Sequence, residues 1–124
     1  MLNAEVATIQ WLNNTNAFSD ADEWPASGST PKARPAKYVL VDRTGGARSD
    51  LVLDAASILI EVYSKNSQLE ASERANHIAD KAVVELAAMF ENITGVRVNS
   101  LIRLDDTVTQ YYRYQVYLDV YTRR

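Results

Sequence analysis

The chain has 124 residues, 47% of them apolar and 23% charged, which is the composition of an ordinary folded domain and too apolar for global disorder. Its 13 basic and 16 acidic residues are interspersed and leave a net charge of −3, against the basic surplus of a dedicated nucleic-acid binder. Cysteine is absent, so disulfides and thiolate metal sites are excluded, and no apolar run is long enough to cross a bilayer.

Taken from the start, the length fits one domain over 1–124, burying roughly two thirds of its unfolded surface. Met1-Leu2-Asn3-Ala4-Glu5 lacks the basic segment and apolar stretch of a signal peptide, so assembly in the cytoplasm is expected. A short helix is predicted from about Ala4 to Asn13, with Asn3 as N-cap and Leu2, Val6, Ile9 and Leu12 at helical spacing. Residues 15–35 hold all three prolines, Pro25, Pro31 and Pro35, with Ser27-Gly28-Ser29, and read as an extended arm or functional loop. Trp24 within this arm is expected to dock, because a large aromatic is poorly left in water.

The remainder, 36–124, reads as a sheet with one long helix. Tyr38 to Arg43 is the first strand, and Arg43-Thr44-Gly45-Gly46 marks a turn, glycine accepting positive φ at no steric cost. Residues 44–50 are expected to project as a loop, with Arg48 and Asp50 as contact residues. A second β region covers Leu51 to Ser64, interrupted near Asp54-Ala55-Ala56. The period then switches from two to 3.6. Ser67-Gln68-Leu69-Glu70 is a capping box, and the helix it opens runs to Met89 or Phe90. Ala71, Ala75, Ile78, Ala82, Leu86 and Met89 form its buried stripe, while the pairs Glu70–Arg74 and Glu73–His77 fall on the solvated side.

Val96 to Leu104 is the next strand, with Val96, Val98, Ile102 and Leu104 inward, and Asp105-Asp106-Thr107 turns the chain. The last strand, Gln110 to Tyr121, sets Tyr112, Tyr114, Val116, Leu118 and Val120 on one face. Tyr111, Arg113, Gln115, Tyr117, Asp119 and Tyr121 take the other. The predicted fold class is α+β: a mainly antiparallel sheet of about four strands, with the long helix and the short N-terminal helix packed on one face. Ile60, Val62, Ile78, Leu86, Val98, Val116 and Leu118 are the expected core.

No residues stand at catalytic or metal-binding spacing. His77 is the only histidine, Asp20, Asp22 and Glu23 lack the spacing of a cation loop, and Thr44-Gly45-Gly46 lacks the rest of a phosphate loop. Nothing places serine, histidine and aspartate as a triad, so neither an enzyme nor a bound cofactor is expected. The candidate interface is Tyr111, Arg113, Tyr117 and Tyr121, expected to reach solvent from the last strand, because tyrosine and arginine are enriched where proteins meet. The competing reading is that tyrosine simply favours strands. Arg97, Arg103 and Arg113 on one sheet face, with Arg123-Arg124, form a candidate nucleic-acid surface, opposed by Glu61 and Asp119 on the same face.

In order and spacing, several motifs together resemble the tail terminator, or tail completion, proteins of long-tailed bacteriophages, the lambda-type family and in particular its members in phages of actinobacteria. They are Thr44-Gly45-Gly46, Leu51-Val52-x-Asp54, Ile60-Glu61-Val62-Tyr63-Ser64 leading into the alanine-rich helix, Gly95-Val96 and Arg113-Tyr114-Gln115. The resemblance covers about two thirds of the chain, leaves out much of 14–35, and departs from the family at Asp54-Ala55-Ala56, where a proline is expected. It implies a virion protein that closes into a six-membered ring on the head-proximal end of the tail tube. There it stops polymerisation of the major tail protein and presents the docking surface for the head-tail connector or stopper. DNA only passes through, and no membrane or cofactor is involved. Arg43, Thr44, Gly45, Gly46, Arg48 and Asp50, in and beside the expected loop, join the tyrosine face as candidate interface residues, because loops on a rigid scaffold commonly carry binding. Two alternatives stay open: a head-tail stopper or adaptor ring, and a small non-viral module that binds peptide or nucleic acid.

Overall fold

The computed structural model describes residues 3–48 and 53–123; Leu2, Asp50, Leu51, Val52 and Arg124, all named above, lie outside the described residues. In chain order the elements are α1 (Ala4–Leu12), a 3₁₀ turn (Ala21–Glu23), β1 (Ala26–Ser27), β2 (Lys37–Arg48), β3 (Leu53–Ser64), α2 (Gln68–Lys81), β4 (Ile93–Arg103) and β5 (Tyr112–Arg123). After α2 the chain makes a π-type turn over Ala82–Leu86 and a last helical turn over Ala87–Met89. The strands form one sheet in the order β1-β2-β3-β5-β4, antiparallel except for the two-residue β1, which runs parallel to β2. This is the predicted α+β architecture with a short fifth strand supplied by the arm.

The helices cover one face. Ser67 caps α2 as predicted, its Oγ accepting from the Glu70 backbone N at 3.1 Å. Ala71, Ala75, Ile78, Ala82 and Leu86 are all buried, and the small alanines let the helix lie close to Ile60, Val62, Val116 and Leu118. Met89, expected on the same stripe, is exposed: the π-type turn contains an extra residue, and every position after it rotates off the buried line. In α1 the inward face is Ala4, Ala7, Thr8 and Trp11, with Leu12, whereas Val6 is exposed and Ile9 only half-buried. Burying the Trp11 indole outweighs burying Val6, so the helix rotates toward the larger apolar area.

Two β-bulges correct the predicted strands. The Gly45-Gly46 pair is not a turn but lies within β2, where the register slips between Arg43 and Gly45 while Gly45 faces Ser57 and Gly46 faces Ala56. The hairpin therefore extends to Arg48 opposite Asp54, residues 44–48 do not project as a loop, and β3 runs uninterrupted through Asp54-Ala55-Ala56. In β4 the register slips between Val98 and Ser100, leaving Asn99 as the extra residue. A one-residue slip exchanges the two faces. Leu101 turns inward opposite Val116, while Ile102 and Leu104, expected inside, are exposed.

The arm is docked on the domain over its first half. Phe18, Ala21, Trp24 and Ala26 are buried in the main core, Trp24 docking as expected, and Ala26 and Ser27 add β1 to the sheet. The Arg74 guanidinium secures it. Predicted to sit in solvent beside Glu70, Arg74 is instead 4% exposed, bonds Asp20 at 2.6 Å and lies 4.4 Å over the Phe18 ring. Burial lowers its pKa, and Asp20 offsets this.

Two stability predictions follow from this packing. Leu86, fully buried, is expected to cost about 2–5 kcal/mol on Leu86→Ala, read by urea unfolding; an unchanged midpoint removes it from the core. Asp20→Ala strands a buried cation and is expected to cost about 3 kcal/mol. Arg74→Met leaves only an Asp20 that is 45% exposed and solvated, so it should cost less. Equal losses in the two variants would contradict the clamp.

Candidate interaction surface

Among the described residues the face opposite the helices carries no layer of secondary structure, and the register assigns its side chains row by row. Tyr38, Tyr63 and Arg113 form the first row, followed by Leu40, Glu61, Gln115 and Ile102, and then by Asp42, Leu59, Tyr117 and Ser100. Gly45, Ser57, Asp119 and Arg97 lie next, and Ala55, Tyr121 and Gly95 after them.

At the first row the face closes on itself. Tyr38 and Tyr63 stack at 4.6 Å with planes 9° apart, and Tyr111 meets both edge-on. All three are buried, Tyr111 because its hydroxyl donates to Pro35 O at 2.8 Å and ties the end of the arm to the sheet. Tyr111 therefore does not reach solvent as predicted. Burial, reinforced by Tyr63, pushes the Tyr38 phenol up to about 12, and burial raises Tyr63 as well.

Arg113 is also engaged within the chain. Its Nε donates to Leu104 O at 2.7 Å, its backbone N donates to Asp105, and its Nη1 lies 3.5 Å from Glu61. Gln115 Nε2 donates to Glu61 at 3.0 Å, and Tyr117 Oη donates to Gln115. Asp105 in turn takes a forked pair from Arg103, whose guanidinium holds its carboxyl below the usual carboxylate range. This network fixes the 104–111 connection against the sheet. Tyr117 and Tyr121 remain partly open further along the face, Arg43 is exposed with its Nε on Gly45 O, and Thr44 is exposed with its hydroxyl on Ser57 O. The predicted group thus divides: Tyr111 and Arg113 act as internal fasteners, Gly45, Tyr117 and Tyr121 share the uncovered face with Thr44 at the bulge, and Arg43, opposite Ile58, and Gly46, opposite Ala56, fall on the helix side.

The three arginines of the nucleic-acid reading do not share a face. Arg97 stands opposite Asp119 on the uncovered side, but the Asn99 bulge places Arg103 opposite Tyr114 on the helix side. Among the described residues no group of three or more His, Cys, Asp or Glu side chains is placed to hold a metal, and no helix is long and apolar enough to cross a membrane. Asp20, Glu23, Glu70 and Glu73 line one cleft of about 290 Å³ with Lys37 and Arg74. His77, exposed on α2, also lines it and meets Phe18 edge-on at 5.4 Å. Sequence reasoning missed this cleft because Asp20 and Arg74 are far apart in the chain, and only the docked arm brings them together.

No protein-family model and no curated protein matches the chain. Among solved structures it is similar to a chain in the virion of a native gene transfer agent particle, with a TM-score of 0.66 over 98% of this chain and 95% of that one. Sequence identity is 13%. The likeness is one of fold. It extends over nearly the whole of both chains, so the arm and both helices are included with the sheet.

The tyrosine cluster makes a pH prediction. The Tyr38 pKa is raised in the folded state, so between about 10 and about 12 the unfolded chain has lost a proton that the native chain keeps. Stability from this group is therefore fully present below pH 10 and falls as pH rises toward 12. Urea unfolding at stepped pH is expected to show the fall, and Tyr38→Phe is expected to flatten it; an equal slope in both proteins contradicts the assignment.

Proposed function

We propose that this chain is a structural protein of a phage-like virion, and that it forms the ring that caps the head-proximal end of a tail tube. The observation that carries the coarser statement is the fold shared, end to end, with a chain of a gene transfer agent virion. The finer statement rests on the ordered motifs from Thr44 to Gln115 that resemble tail terminators.

The geometry supports assembly side by side. Among the described residues β1 pairs with β2 only at Val39 and Leu40, so the edge of β2 from Val41 to Arg48 is open, and β4 forms the opposite edge. β4 runs antiparallel to β2, so a neighbouring copy set alongside can extend the sheet with antiparallel pairing. Such a contact joins unlike surfaces, and when the rotation closes it makes a ring. Capping then follows from occupation: one face of the ring adds to the last ring of the tube, and the other is not complementary to a tube subunit. That other face meets the head-tail connector or stopper, and DNA passes through without base recognition. The head-tail stopper reading differs only in partner, since a stopper need not bind polymerised tail protein.

Deleting the gene from the phage or particle that carries it is expected to give heads beside tails that overgrow or remain unjoined, because an uncapped tube still presents the surface on which the next ring adds. Electron microscopy of the lysate decides the matter. Tails of normal length beside heads that lose DNA would overturn the terminator reading in favour of a stopper, and infectious particles would overturn both.

A further inference from the structure

Each open edge of the sheet carries one charged side chain that the chain itself leaves unpaired, and the two have opposite sign. Asp42 stands on β2 just past the end of β1, opposite Leu59, and therefore on the uncovered face. Arg97 stands on β4 opposite Asp119, on the same face. Both are exposed, and neither has an ion pair or a side-chain hydrogen bond among the described residues. The backbone assigns them to the same kind of site. Val39 N donates outward to Pro25 O at 2.9 Å, so by alternation Arg43 presents its N–H and C=O at the open edge while those of Asp42 turn inward to β3. At the other edge, Arg123 N donates to Asn92 O at 2.7 Å and Leu104 N donates to Arg113 O at 3.0 Å. The odd-numbered residues of β5 therefore bond β4. Arg97, opposite Asp119, turns its backbone groups inward, and Val96 and Val98 present theirs outward.

We infer that Arg97 of one copy pairs with Asp42 of the next, as facing residues of an antiparallel seam between β4 and β2. The pairing gives a register to the side-by-side ring proposed above and rests on that reading. Facing residues in such a seam share both a sheet face and a bonding class, and Asp42 and Arg97 match in both. They form a non-hydrogen-bonded pair, the class with the closer Cα atoms, about 4.5 Å apart. Beside them Val96 faces Arg43, and the outward N–H and C=O groups of these two residues bond each other. Both strands limit the register. A slip of two residues sets Arg97 against Leu40, where β1 already lies, or into the β2 bulge at Gly45. On β4 the regular stretch ends after Val98, at the Asn99 bulge. An opposite-charge pair facing across strands stabilises modestly and like charges there repel, so the pair sets register and partner choice more than affinity. Each copy offers one member at either edge, so the contact is head-to-tail and repeats around a closed ring.

The chain has no cysteine, so an introduced disulfide reports the seam without competing thiols. D42C/R97C is oxidised alone and on assembled tail tubes, then run on a non-reducing gel. It is expected to give a ladder of covalent multiples ending at the closed ring, because facing Cα atoms fall within the disulfide range of about 4.4–6.8 Å. D42C/R103C, whose second cysteine lies on the helix side, is expected to give no ladder. Charge reversal supplies an independent readout in the variants D42R, R97D and D42R/R97D, each first shown by circular dichroism to fold. By sedimentation, each single variant is expected to weaken association by about tenfold per contact, the swing from attraction to repulsion across facing strands. The double variant, with the signs exchanged, is expected to recover it. Rings that form but yield no ladder, or single charge variants that assemble as well as the wild type, overturn this pairing and leave the ring standing. A wild type that stays monomeric even with assembled tail tubes overturns the ring reading and the pairing together.

Discussion

β3 and β5 pair over twelve consecutive positions, from Leu53 opposite Arg123 to Ser64 opposite Tyr112, and neither strand is at an edge. A ladder of that length fixes every side chain on both strands to one face or the other, because a slip of one residue would exchange the faces. Ile58, Ile60, Val62, Val116, Leu118 and Val120 consequently point together toward the helices, and Glu61, Gln115 and Tyr117 point away. The other elements are placed by this pair. α2 needs the apolar face to bury its alanine stripe, and β2 and β4 need the ladder to set their register. The bulges at Arg43/Gly45 and at Asn99 are tolerated in the outer strands, where one partner is free to shift.

The uncovered face poses the opposite problem. An antiparallel sheet can leave one face to water, provided that face is polar or is covered by something else. This chain uses both solutions along its length. At one end, Tyr38, Tyr63 and Tyr111 build a second, smaller core roofed by the arm near Pro35, and Arg113 pins the 104–111 connection beside it. Further along, Tyr117, Tyr121, Leu59, Asp119 and Arg97 give a mixed surface suited to repeated contact with protein and without the basic groove that would hold DNA.

Legibility followed how local each signal was. The Ser67 cap, the stripe from Ala71 to Leu86 and the alternation from Tyr112 to Val120 are each encoded within a few residues, and the structure reproduces them. Gly45-Gly46 misled because glycine serves a bulge as readily as a turn, and only the partner strand decides between them. The exposure of Ile102 depends on Asn99 dropping out of the β4 ladder, which no alternation of residue types announces. The interior position of Arg74 depends on Phe18, Asp20 and Trp24, more than fifty residues earlier in the case of Asp20. Function was less legible than fold, because assembly surfaces need no catalytic residue types. The proposed tail role rests on the order and spacing of short motifs, none of them specific by itself.

The most direct test of the central claim is where the protein binds. Purified, labelled chain can be mixed with polymerised tail tubes and imaged by electron microscopy, each label being scored by position along the tube. The account predicts one ring-sized density at a single end of each tube, and no further growth at that end when tail protein is added. Label spread along the tube wall, or tubes that continue to elongate from the labelled end, would contradict it.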